Sequence, residues 1–158
     1  MGMAHPECPQ RLIVIENELK ATGLLPQLQR YEAPLATTEQ LARVHTQEYI
    51  ESIHQAAPAA GLIALDADTA MNPFSLSAAL HAAGAVVLAT DLVLAGTVNN
   101  AFCAVLPPGH HAESDRAMGF CLFNNIAVGV AHAIAQHHLQ RVAILDFDVH
   151  HGNGSEEI

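Results

Sequence analysis

The stretch V-A-I-L-D-F-D-V-H-H-G-N-G, Val142–Gly154, carries the most information in the chain. Val142 to Phe147 is a short apolar run of the kind that forms a buried parallel strand. Charged groups then follow abruptly. In open α/β folds, ligands bind outside the carboxyl ends of strands. Residues two apart on a strand point to the same side. Asp148 and His150 can therefore converge on one cation. A carboxylate oxygen and an imidazole nitrogen suit zinc, or iron and other first-row metals. Asp146 has the same parity but sits deeper. It is better placed to orient a neighbouring group, or to hold a second cation, than to be a third ligand. Gly152 and Gly154 allow the backbone to turn sharply beside the metal.

A second segment of the same kind lies upstream. Asn100 to Leu106 (N-A-F-C-A-V-L) is another short apolar run, ended by Pro107–Pro108–Gly109. His110 and His111 follow at once. Tandem histidines beside a metal suit proton handling near neutral pH. One takes a proton from water, and the other supports developing negative charge. Each needs an acceptor that fixes its tautomer, and Asp146 and Asn153 are the candidates. Gly119 and Phe120 form a potential wall for a slender aliphatic chain.

Between and before these runs the pattern is helical. Gln10 to Thr22 carries an apolar stripe and stops at Gly23. Thr37 opens a short helix, and Thr46 caps another that runs to about Ala56. Pro73–Phe74–Ser75 starts a long Ala-rich helix that extends to about Ala95, with Gly96 at its end. Residues 121 to 138 return to helical pattern, with His137–His138 read as surface. Strand, helix, strand within about fifty residues is a βαβ unit. The expected class is α/β: a three-layer α/β/α arrangement on a mainly parallel sheet, incomplete in this chain.

Composition narrows the function. The 158 residues are 51% hydrophobic and 14% charged, too apolar for a disordered chain. Sixteen acids against six bases give a net charge of -10. With no cluster of Lys and Arg, nucleic-acid binding is not expected. The apolar stretch Ala82–Leu94 is interrupted by Gly84, Thr90 and Asp91, so no membrane span is expected. Three scattered cysteines (Cys8, Cys103, Cys121) and the lack of a signal peptide point to the cytoplasm.

Pro107–Pro–Gly–His–His111, Gly119–Phe–Cys–Leu–Phe–Asn–Asn125 and Asp146–Phe–Asp–Val–His–His–Gly–Asn–Gly154, in this order and spacing, resemble histone deacetylases. The resemblance is to the class II-like branch, with bacterial deacetylases, acetylpolyamine amidohydrolases and acetoin-utilisation proteins. His5–Pro–Glu–Cys–Pro–Gln–Arg11, Arg43–Val–His45 and Asp66–Ala–Asp–Thr69 match weaker family positions. The resemblance implies an arginase/deacetylase-like fold and zinc-dependent hydrolysis of an acetylated amine, either acetyl-lysine or an acetylated polyamine. It implies Asp148 and His150 as zinc ligands, His111 as general base and His110 as its electrostatic partner. Asp146 would support His110 and contribute to a monovalent cation site for potassium, and Asn153 would support His111. Gly119 and Phe120 would line the acyl-lysine tunnel, Asp68 would sit at its rim, and Arg11 would lie near an internal channel below the metal.

By this resemblance the chain is the N-terminal part, 1–158, of one deacetylase domain. The third zinc ligand and the oxyanion-stabilising residue have no candidate in it. This chain by itself is therefore expected to have little or no activity. The alternative is an inactive fragment, or a binding module that keeps the surface without the chemistry. An arginase-type binuclear manganese site would need a carboxylate two residues after His150, where Gly152 stands.

Overall fold

A computed structural model of the chain describes residues 5–158. Polar side-chain caps mark the start of three of the helices, at Thr37, Thr46 and Asn124. Helix α1 spans Gln10–Ala21, with Gly23 in the left-handed region just beyond. Helix α2 (Thr38–Leu41) opens on a capping box, in which Thr37 Oγ1 accepts from Gln40 N and Gln40 Oε1 accepts from Thr37 N. Helix α3 (Gln47–Ala56) opens on Thr46, whose hydroxyl accepts from Tyr49 N.

Helix α4 (Ser75–Leu94) packs chiefly on helix α5 (Asn125–His137). Its 20 residues are long and apolar enough to cross a membrane by length and composition, more than the 82–94 stretch suggests. Here it packs within the fold: Ala79, Ala82, Ala83 and Val87 are buried. The segment before α2 crosses the same helix, with Ala36 N donating to Leu80 O.

Helix α5 starts later than the pattern predicts. Cys121 to Asn124 continue the apolar periodicity but are buried non-helical chain that enters the core. The helix waits for Asn124, whose side chain accepts from Ala127 N and caps it. Leu122 and Phe123 fill the centre, among Leu41, Tyr49, Ile50, Ile53, Met71 and Val128. Tyr49 reaches in with its hydroxyl to Leu122 O at 2.5 Å.

The parallel sheet is not formed among the described residues. The described residues form one small antiparallel pair, β1 (Ile63–Ala64) with β2 (Ala70–Met71). The runs at 100–106 and 142–147 have no regular secondary structure and enter no ladder, with each other or with anything else described. Side-chain pattern can make a run strand-like, but a ladder also needs a neighbour about 4.8 Å away. Neither run has one, and their apolar side chains stand open, with Phe102 76% and Leu145 87% exposed.

Candidate active site

Two loops and one short helix bring the site together. The 107–119 loop carries the paired histidines, the 146–152 turn carries the acids, and α6 (Asn153–Glu157) begins just after it. Ser155 N donates to His110 O, which ties α6 under the histidine loop.

Each histidine has its own oxygen partner. His110 Nδ1 lies 2.7 Å from Asp146 Oδ2, and His111 Nδ1 lies 2.7 Å from Asn153 Oδ1. The ring centroids of His110 and His111 are 4.1 Å apart. The hydrogen bond from His110, and the backbone N–H of Asp148, outweigh burial and hold the Asp146 carboxyl below the usual carboxylate range. A carboxylate only accepts, so His110 carries its proton on Nδ1.

The expected metal pair does converge. Asp148 Oδ1 lies 2.9 Å from His150 Nδ1, and the same oxygen accepts from His150 N at 2.7 Å. That backbone donor, with the ring, keeps the Asp148 carboxyl lowered. His150 stands beside His111, with ring centroids 6.0 Å apart. The four groups form one cluster at the chain's carboxylate-rich turn. Both Asp148 and His150 are open to solvent. A hard oxygen and an imidazole nitrogen facing one another fit a zinc ion.

Glycines make the crowding possible at two points. A Cβ on Gly119, whose φ is +55°, would lie 2.3 Å from His111 Cδ2. A Cβ on Gly152 would lie 2.6 Å from Asp146 Oδ2. The His111 ring and the Asp146 carboxylate each lean on backbone that only glycine leaves clear.

The remaining expected residues fall in two places. Phe120, at φ +70°, is held by Thr69 Oγ1, which accepts its N–H at 3.0 Å. Thr69 donates to Asp68 Oδ1, and His5 packs edge-on to Phe120 with its Nε2 3.3 Å from Asp68 O. Asp68, Gly119 and Phe120 therefore share one surface around the histidine loop. Arg11 instead pairs with Glu7 in the first turn of α1 and is half exposed. None of its contacts reaches the histidine cluster.

The sequence reading missed three groups. His45 is buried, with Nδ1 on Glu113 O and Nε2 accepting from Asn124 N, and it braces the loop after His111 against the start of α5. Glu113 lies behind Asn153. Asp91, read as an interruption of an apolar stretch, accepts at 2.7 Å from both His132 and His137. His137 is thus a partner of α4 rather than a surface residue. The ligating atoms of this trio lie within 4.8 Å of one another, near enough to share a metal. Arg43 Nη1, however, points at His132 Nδ1 from 2.8 Å. Arginine only donates, so His132 carries its proton on Nε2 and gives it to Asp91. The trio is closed by its own hydrogen bonds.

Comparison with known proteins gives the family. A family model described as "Histone deacetylase domain" matches residues 5–158. A histone deacetylase-like amidohydrolase of Pseudomonas aeruginosa is 44% identical over 154 residues, 98% of this chain and 40% of that protein. Human polyamine deacetylase HDAC10 is 39% identical over 159 residues, 94% of this chain and 24% of that protein. The crystal structure of the HDA15 HD domain superposes with a TM-score of 0.93 at 38% identity, covering 100% of this chain and 44% of that one. The chain thus spans less than half the length of each of these relatives.

Proposed function

The chain belongs to the histone deacetylase family and has its arginase/deacetylase fold, and on that premise we propose that the parent protein hydrolyses an acetyl amide to acetate and a free amine. The observation that carries the reading is the meeting of His110–Asp146, His111–Asn153 and Asp148–His150 in one open cluster. Asp148 and His150 would hold the zinc, and the ion would supply Lewis acidity toward the acetyl carbonyl and the attacking water. Two protein donors leave an open shell.

The chain's own residues supply proton transfer and position. His111 keeps its Nδ1 proton on Asn153, which leaves Nε2 free to take a proton from water. His110 is held by Asp146, in reach of the same reacting centre. A protonated imidazole then serves the leaving amine. Phe120 offers a flat face to the acyl chain, and Asp68 an acceptor at the rim. Asp146, with backbone carbonyls, would contribute to a potassium site. The unpaired runs at 100–106 and 142–147 would be central strands of the parallel sheet in the parent domain. The free thiols agree with a cytoplasmic setting, and Cys121 is pushed up to about 12 by burial and so held unreactive.

The names of the relatives, a histone deacetylase-like amidohydrolase and polyamine deacetylases, support acetyl-lysine or an acetylated polyamine as the substrate class. The test is acetate release by the parent protein from an acetyl-lysine peptide and from an acetylated polyamine, with and without a zinc chelator. Turnover of one substrate that the chelator abolishes supports the reading. Turnover of neither, with zinc bound, ends it.

A further inference from the structure

The tautomer of His111 depends on which way the Asn153 amide is turned. An amide can present either its oxygen or its nitrogen to a ring nitrogen, and Asn153 alone does not decide. The amide nitrogen meets His111 O at 3.4 Å and Met118 Sδ at 3.3 Å, but its shortest contact, and its one charged acceptor, lies one residue further back. Asn153 Nδ2 is 2.8 Å from Glu113 Oε1, and the other Glu113 oxygen accepts from Arg116 Nη2 at 2.8 Å. Arg116, then Asn153, hold the Glu113 carboxyl below its usual range. A carboxylate accepts only, so the amide must turn its NH2 toward Glu113 and its oxygen toward His111.

Glu113 is itself fixed from several sides. Its N–H donates to Arg116 O, and its carbonyl accepts from His45 Nδ1. Ser114 next to it is clamped by the Glu157 carboxylate through both N–H and Oγ, and by Thr46 N through its carbonyl. The backbone that carries the carboxylate is therefore held in place.

We propose that Glu113 is a positioning residue: through the Asn153 amide it fixes His111 as the Nδ1–H tautomer and leaves Nε2 as the bare, proton-accepting nitrogen. Its catalytic meaning rests on His111 being the base in the reaction proposed above. The positioning itself is readable without turnover. In the reaction, the water proton goes to His111 Nε2 while the Nδ1 proton stays on the hydrogen bond to Asn153. A ring with its proton on Nε2 cannot take that step.

The experiment is imidazole nitrogen NMR on the metal-free chain, with His111 assigned by its loss in His111→Gln. Wild type and Glu113→Gln, which keeps an acceptor for Asn153, should both show the Nδ1–H form. Glu113→Ala should lower the ratio of Nδ1–H to Nε2–H about tenfold, a shift within the range of one hydrogen bond to a charged group. Should Glu113→Ala not fold, Asn153→Asp gives a second route. A carboxylate at 153 accepts from His111 however it turns, but it faces Glu113. Asn153→Asp should therefore lower Tm, and the Glu113→Gln/Asn153→Asp pair should recover it with the Nδ1–H form retained. An unchanged tautomer in Glu113→Ala overturns the proposal, as does a Tm for Asn153→Asp that Glu113→Gln fails to raise. Loss of turnover with the tautomer intact would count against the proposed reaction and not against this role of Glu113.

Discussion

His110 Nδ1 and Asp146 Oδ2 lie 2.7 Å apart although 36 residues separate them in the chain. The contact joins the two segments that the sequence marks most strongly. Asp146 both fixes the proton of His110 and places negative charge behind its ring. Asp146→Asn removes that charge and lets the acceptor turn into a donor. In the parent protein it should lower kcat roughly 10²–10⁴-fold with little change in fold. Steady-state kinetics beside a circular dichroism melt would check this, and a kcat within a factor of two would contradict it.

Gly119 is set against the His111 ring. Gly119→Ala puts a methyl 2.3 Å from His111 Cδ2 at a φ of +55°. The ring must move, and a misplacement of about 1 Å in such a site costs on the order of 10²-fold in rate. The backbone itself loses about 1–2 kcal/mol from the left-handed conformation. Kinetics and denaturant melts should report both losses together.

Phe123 is fully buried between His45 and Tyr49. Phe123→Ala should destabilise the chain by about 3–5 kcal/mol, from lost burial and the cavity left behind. Urea unfolding measures it. A loss under about 1 kcal/mol would mean that the centre of the core lies elsewhere.

Helix placement was largely legible because it rests on local chemistry. The Thr37 and Thr46 caps and the Gly23 and Gly96 stops sit where the pattern puts them. The start of α5 was not, because Cys121 to Phe123 are apolar for the core's sake and not the helix's. The runs at 100–106 and 142–147 read as strands from their side chains, but whether a run pairs is decided by its neighbours and not by the run itself. In the site, strand parity paired Asp148 with His150, but the two meet in a turn, where the His150 N–H donates to Asp148 Oδ1; the two histidine acceptors followed from the chemistry of tautomers. Glu113 and the Asp91–His132–His137 trio were hidden, because each joins residues about forty apart that share no local pattern.

His45 gives the clearest pH dependence. Burial holds its pKa below the ordinary 6.5, against the opposing pull of the Glu113 and Ser114 carbonyls. Its Nε2 accepts from Asn124 N, so a proton there would meet a donor. The unfolded chain binds that proton more readily than the folded one. The contribution to stability is thus complete above about pH 6.5 and is lost as pH falls through the folded-state value. Tm measured from pH 7.5 to 5 should drop in wild type. In His45→Asn the drop should be shallower, from a lower starting Tm. Parallel curves would assign the dependence to other groups.

The central claim is that Asp148 and His150 hold a divalent ion beside His110 and His111. Anomalous diffraction at the zinc edge, on crystals of the chain grown with zinc, tests it directly. A zinc peak is expected about 2.0–2.2 Å from Asp148 Oδ1 and His150 Nδ1. Zinc found only at Asp91, His132 and His137, with 148 and 150 bare, would contradict it.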